Sequence, residues 1–170
     1  MVATDDADLA ARVRVLRNHG IGAEGEHERL GWNSRLDEAQ AVLLRAKLAR
    51  LDRMNARRRA IAAHYGTVLS ATRAQLPREI GDAQHVYGYY TMLVDDRDAL
   101  REGLRQAGVE TAVYYRKPLS HHAHFARTCR AGPLPVAEAV SARCLSLPVF
   151  PELNDDEVDF VATTTARLLR

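Results

Sequence analysis

The chain has 170 residues, 46% hydrophobic and 27% charged, with a formal net charge of +2. That is the size and mix of one globular domain with enough apolar material for a core. So small a charge excludes a surface built for nucleic acid, which needs lysine and arginine gathered on one face. The densest basic run, Arg53 with Arg57, Arg58 and Arg59, reads as a solvated helix face. No window approaches the roughly 18 consecutive apolar residues of a membrane span, and residues 1–10 have neither the basic region nor the apolar core of a signal peptide. No membrane partner and a cytoplasmic location are therefore expected. Cys129 and Cys144 cannot make a disulfide framework. Of 24 basic side chains only Lys47 and Lys117 are lysines.

In chain order, Met1-Val2-Ala3 reads as the last residues of a strand, so the chain is expected to start inside an element. Thr4 or Asp5 can cap a helix whose apolar positions Leu9, Val13 and Leu16 recur at helical spacing, with Gly20 after its end. Residues 21–33 carry three glycines and read as a loop. Ser34 and Asp37 fit a capping box. From there Leu36, Leu43, Leu44, Leu48, Leu51, Met54, Ile61 and Tyr65 predict one long helix that Gly66 can terminate. A helix of about 30 residues would span roughly 45 Å, more than one compact core needs. It suggests a connector between domains or a helix packed on another subunit.

Residues 85–96 are rich in β-branched and aromatic side chains and predict a strand. A helix is expected from Asp96 to about Gly108, then a second strand over 109–115 and a long loop over 117–135 that carries three histidines. Residues 135–145 predict a helix, 144–151 an extended stretch, and Asn154 the cap of a last helix. This order gives a small α/β or α+β layer.

Several side-chain sets invite chemistry. His121, His122, His124 and Cys129 are of the right class for zinc, but their spacing matches no zinc pattern, and no metal site is assigned. Asp95-Asp96 and Asp155-Asp156 stand where helices begin, which capping explains. Ser141, Ser146 and His85 lack the Gly-x-Ser-x-Gly turn that presents a nucleophile, and no phosphate-cradling glycine loop is present. Asn33 is different: an asparagine on a glycine-flanked loop before a helix can donate a hydrogen bond to a phosphate, although local turn chemistry explains it equally well.

Residues 15–20 (Val-Leu-Arg-Asn-His-Gly), 31–41 (Gly-Trp-Asn-Ser-Arg-Leu-Asp-Glu-Ala-Gln-Ala), 47–52 and 55–62 together resemble the DegT/DnrJ/EryC1/StrS family. The resemblance continues through His85-Val86-Tyr87, residues 96–100, residues 115–119 (Tyr-Arg-Lys-Pro-Leu) and residues 145–151 (Leu-Ser-Leu-Pro-Val-Phe-Pro). It implies a pyridoxal 5'-phosphate-dependent sugar aminotransferase of fold type I, whose large α/β domain holds the cofactor and whose small domain closes over it. The implied partners are a second subunit, a nucleotide-linked keto sugar and an amino-acid donor.

On this resemblance the fold class is α/β with an α+β small domain. Residues 1–33 are expected to be the truncated end of the large cofactor domain. Residues 34–66 form the long connecting helix, and 67–170 the small C-terminal domain, a small sheet covered by helices. The resemblance implies that Asn33 contacts the cofactor phosphate across a dimer, and that Arg35 and His121 lie near the sugar. Where the family usually has a histidine after Pro-x-Pro-Leu, this chain has Ser120, with His121 one place on.

The family's cofactor-binding lysine, the aspartate at the pyridine nitrogen and the ring-stacking aromatic are expected upstream of this chain. Lys47 matches a structural position of the family, and Lys117 has no pyridine ring beside it. No catalytic residue is therefore assigned, and the chain is expected not to transaminate alone. The alternatives are a non-enzymatic remnant or interaction module of the same fold, and a subunit completed in trans by a lysine-bearing chain.

Overall fold

The computed structural model describes every residue except Cys129 and Ala131. The chain divides into two compact units, Met1–Arg50 and Leu51–Arg170.

The first unit holds α1 (Ala7–Leu16) and α2 (Glu38–Leu48) joined by a looped strap. Residues 1–3 form no regular element. The cap of α1 is Asp6, not Thr4 or Asp5: its carboxylate accepts from the Leu9 amide at 3.0 Å, while the Thr4 hydroxyl accepts from the Asp6 amide. The expected capping box at Ser34 does not form. The Ser34 amide donates to the Arg17 carbonyl, which keeps residue 34 in the strap, and Asp37 caps α2 by accepting from the Gln40 amide at 2.9 Å. Neither helix buries a side chain. Within residues 1–50 only Gly20 is buried.

The long helix expected over 34–66 is two helices. α2 stops at Leu48 and α3 runs from Leu51 to Leu69. At the join the Arg50 amide donates back three residues, to Lys47, which tightens the turn and interrupts the α-helical ladder. No glycine or proline marks the break. Gly66 does not end α3; it lies one turn before the end, where the Thr72 amide and hydroxyl both donate to the Leu69 carbonyl.

The second unit contains the core. Ile61, Ala62, Tyr65 and Leu69 of α3 are buried at three- and four-residue spacing. They belong to one apolar cluster with Tyr90, Met92, Leu104, Leu145, Leu147, Val158, Val161 and Ala162. β1 (Tyr90–Leu93) pairs antiparallel with β2 (Cys144–Leu147), placing Tyr90 opposite Leu147 and Leu93 opposite Cys144. All four β2 residues are buried. The strand expected over 85–96 is confined to 90–93, because Tyr87 takes φ 46°, outside the extended region, and its amide turns back to His85 Nδ1. The strand expected over 109–115 is reduced to one bridge, Ala112 against Ser146, and Gln75 makes a similar bridge to Leu93.

α4 (Arg97–Gln106), α5 (Ala123–Thr128), α6 (Pro135–Arg143) and α7 (Asp155–Leu168) complete the unit, and α7 packs against both α3 and α4. The Asn154 cap is as the sequence predicts: its side chain accepts from the Glu157 amide while Glu157 accepts from the Asn154 amide, both at 2.9 Å. Tyr65 and Tyr90 meet edge to face at 5.1 Å, and the Tyr65 hydroxyl donates to the Pro148 carbonyl at 2.9 Å. Burial pushes the Tyr65 phenol up, and Tyr90 up to about 12. Among the described residues no helix is long and apolar enough to cross a membrane.

Candidate cofactor-phosphate site

The first unit is a device for bringing residues 32–35 beside the end of α1. Gly20, at φ 75°, turns the chain out of the helix. Ile21 bridges His27, and the strap returns so tightly that a Cβ on Gly31 would lie 2.0 Å from the Gly20 nitrogen. One on Gly20 would lie 1.7 Å from the Arg29 carbonyl oxygen. Only glycine fits at either position. The return is fastened by three backbone bonds: Trp32 N–H to Leu16, His19 N–H to Trp32 and Ser34 N–H to Arg17, at 2.8, 3.0 and 2.9 Å.

Asn18 and Asn33 thereby become an antiparallel bridge pair. Arg35 reaches over both: its Nε donates to Asn33 Oδ1 at 3.0 Å and its Nη1 to Asn18 Oδ1 at 3.1 Å. Asn33 and Arg35 are exposed and Asn18 is half-buried. Among the described residues no carboxylate forms an ion pair with Arg35. A positively charged fork joined to two amides, with no competing anion, can receive an acceptor-only group such as a phosphate. Trp32, 61% exposed, stands next to it in the chain.

The structure therefore brings Asn33 and Arg35 together. His121 belongs to the second unit, in a 3₁₀ turn over Leu119–His121, where its Nε2 lies 3.3 Å from Glu138 Oε1 of α6. The Ser120 hydroxyl beside it is buried with no hydrogen-bond partner among the described residues, and Lys117 and Lys47 are both exposed. His124 stacks edge-on with Phe125. Among the described residues no group of three or more histidines, cysteines and carboxylates could hold a metal, and Cys129 lies outside them. Ser146 is committed to Thr91, 2.8 Å away.

Sequence reasoning gives Asn18 no role beyond its place in the run of residues 15–20 that carries the family resemblance. Its importance depends on a partner 15 residues along the chain. Arg97 is also missed: it is 7% exposed, donates to the Ser141 and Cys144 carbonyls at 3.3 Å, and lies 2.6 Å from Asp98. A cleft of about 320 Å³ beside β2, lined by Tyr89, Glu110, Tyr114 and Ser146 among others, carries no polar constellation comparable to the asparagine pair.

The sequence matches the DegT/DnrJ/EryC1/StrS aminotransferase family over residues 1–165. It is 40% identical over 169 residues to UDP-N-acetyl-3-dehydro-alpha-D-glucosamine 3-aminotransferase of Acidithiobacillus ferrooxidans, covering 99% of this chain and 46% of that protein. It is 40% identical over 155 residues to the dTDP-3-amino-3,4,6-trideoxy-alpha-D-glucose transaminase of Streptomyces venezuelae, covering 90% of this chain and 41% of the relative. The fold superposes on S. venezuelae DesV with a TM-score of 0.92 at 36% identity, over 99% of this chain and 46% of that one. An aminotransferase from Brucella abortus gives 0.90 at 32% identity, over 98% and 45%. The chain thus spans about half the length of the relatives it matches. It belongs to the pyridoxal-phosphate-dependent DegT/DnrJ/EryC1/StrS aminotransferase family, corresponding to the C-terminal portion of a member.

Proposed function

We propose that this chain serves a pyridoxal-phosphate-dependent transamination of nucleotide-linked keto sugars with an amino-acid donor, and that it does not transaminate alone. The observation that carries the reading is the Asn18–Arg35–Asn33 cluster, a set of donors fitted to a phosphate. The names of the relatives, which act on UDP- and dTDP-linked sugars, support the substrate class. When bound, the cofactor supplies the electron sink for amino transfer. In the first unit Asn33 would donate to its phosphate and Arg35 would serve the sugar nucleotide; in the second, His121, 3.3 Å from Glu138, is the residue the family resemblance assigns to the sugar. Residues 1–33 contribute the end of the large domain, 34–66 the connector and 67–170 the small domain, in a cytoplasmic enzyme.

The chemistry needs an amine that bonds covalently to the cofactor, and neither lysine here is built for it. Lys47 lies exposed in the last turn of α2 and Lys117 on an exposed loop, with no enclosing wall to desolvate either amine. Completion by a second copy or by a lysine-bearing chain is favoured by the first unit, which exposes Leu30, Trp32, Leu36, Val42, Leu43, Leu44 and Leu48.

Two measurements test the reading. After incubation with pyridoxal phosphate and borohydride reduction, the expected mass is that of the unmodified chain. A stoichiometric adduct on Lys117 that vanishes in Lys117→Ala would overturn the claim that this chain supplies no cofactor-binding lysine. Trp32, the chain's single tryptophan, reports on the phosphate site. Its fluorescence is expected to respond saturably to pyridoxal phosphate but not to pyridoxal, and Asn33→Ala is expected to abolish the difference.

A further inference from the structure

A guanidinium has five N–H donors and no acceptor. Whatever part of an amide side chain meets it must be the carbonyl oxygen, so the Arg35 contacts settle the orientation of both asparagines on chemical grounds. Each presents its oxygen to Arg35 and turns its NH₂ away. As a directly opposed bridge pair, Asn18 and Asn33 also project their side chains from the same face of the strap. Two NH₂ groups are therefore held side by side on a positively charged support, and neither can flip without setting donor against donor.

We infer that Asn18 is a second anion-binding residue, and that Arg35 acts on it and on Asn33 as a positioning residue, so that one phosphate monoester receives a donor from each amide. The assignment rests on the reading of Asn33 as a phosphate contact. The ligand class follows from the donors. At neutral pH a phosphate monoester carries three acceptor-only terminal oxygens, spaced to meet two amides at once, and it is favoured by the guanidinium charge beneath them. Gly20 and Gly31 matter to the same end, because the strap registers Asn18 against Asn33 only while the two backbones touch.

The test uses the whole chain, labelled with ¹⁵N, titrated with inorganic phosphate and separately with pyridoxal phosphate. The side-chain NH₂ signals of Asn18 and Asn33 are expected to move along one saturation curve. Asn18→Ala is expected to weaken binding about tenfold, the scale of one hydrogen bond to a charged group. Arg35→Lys keeps the charge but loses the fork. It is expected to weaken binding comparably and to shift both NH₂ signals before any ligand is added. Asn18→Asp keeps the oxygen that Arg35 needs and removes the donor, so it should bind no better than Asn18→Ala while the amides of His19, Trp32 and Ser34 stay in place.

Phosphate binding that survives in Asn18→Asp overturns the assignment. So does an Asn18 signal that stays still while that of Asn33 moves, in which case Asn33 keeps its role. If Asn33→Ala binds as well as the unmodified chain, the phosphate reading itself fails. Absence of any saturable shift overturns both.

Discussion

Replacing Gly31 by alanine probes the geometry on which the candidate site depends. The added Cβ would lie 2.0 Å from the Gly20 nitrogen, 2.5 Å from the His19 carbonyl carbon and 2.7 Å from the Gly20 Cα. All three are backbone atoms, so no side chain can swing aside to relieve them. The strap must move away from the end of α1 by about 1 Å, and overpacking of this kind costs about 1–3 kcal/mol. The three fastening bonds, from Trp32, His19 and Ser34, are the ones that lengthen. Amide hydrogen exchange reads such local opening, and that cost corresponds to about a 5- to 150-fold loss of protection at those amides. Gly25→Ala is the control. Gly25 has φ 84° but nothing within 4 Å of its added Cβ, so the strain of a left-handed alanine is present without the clash. Equal losses in the two variants, or unchanged protection of Trp32 and Ser34 in Gly31→Ala, would refute the argument that backbone contact registers Asn33 against Asn18.

Tyr65→Phe removes the donor to the Pro148 carbonyl and should cost about 1–2 kcal/mol in chemical denaturation. The folded-state pKa of Tyr65 is raised, so its contribution is fully present below the unfolded value near 10 and is lost as pH rises through the folded value. The wild type should therefore lose stability above pH 10 more steeply than Tyr65→Phe, and parallel alkaline slopes would contradict this. Arg105 and Gln106 hydrogen-bond Glu102 and hold its carboxyl down to about 2, so Arg105→Ala should move its NMR titration up toward the ordinary glutamate value. The apolar stripe on α2 should drive association: sedimentation is expected to show concentration-dependent species that Leu44→Glu with Leu48→Glu removes, and a monomer at all concentrations would count against a partner-covered face.

Where sequence and structure agree, the determinant is local. Asn154 and Glu157 sit three residues apart and need nothing else to cap α7. The four-residue spacing of Ile61 and Tyr65 suffices to place the buried face of α3, although Leu69, which extends that face, lies beyond the expected helix end at Gly66. The sequence predicts one long helix because its apolar stripe continues unbroken through Leu48 and Leu51, while the interruption lies in backbone hydrogen bonding at Arg50 that no breaker residue announces. The strand expected over 85–96 is longer than the one formed because β-propensity does not register a single left-handed residue such as Tyr87. At the candidate site, Asn33 draws notice as a polar residue on a glycine-flanked loop, and Arg35 only through the family resemblance. The pairing of Asn18 with Asn33 is not legible, because it is created by a chain reversal whose only sequence trace is a pair of glycines.

That every buried apolar side chain lies beyond residue 60 also sets what heat should measure. Unfolding enthalpy is about 0.7 kcal/mol per residue for cooperatively packed chain near 60 °C, which gives roughly 120 kcal/mol for a fully cooperative molecule of this length. If only residues 51–170 melt as one body, the transition should absorb roughly 80 kcal/mol. The difference is the enthalpy that residues 1–50 would recover once something covers them, so a calorimeter can register the arrival of a partner as heat added to the melt.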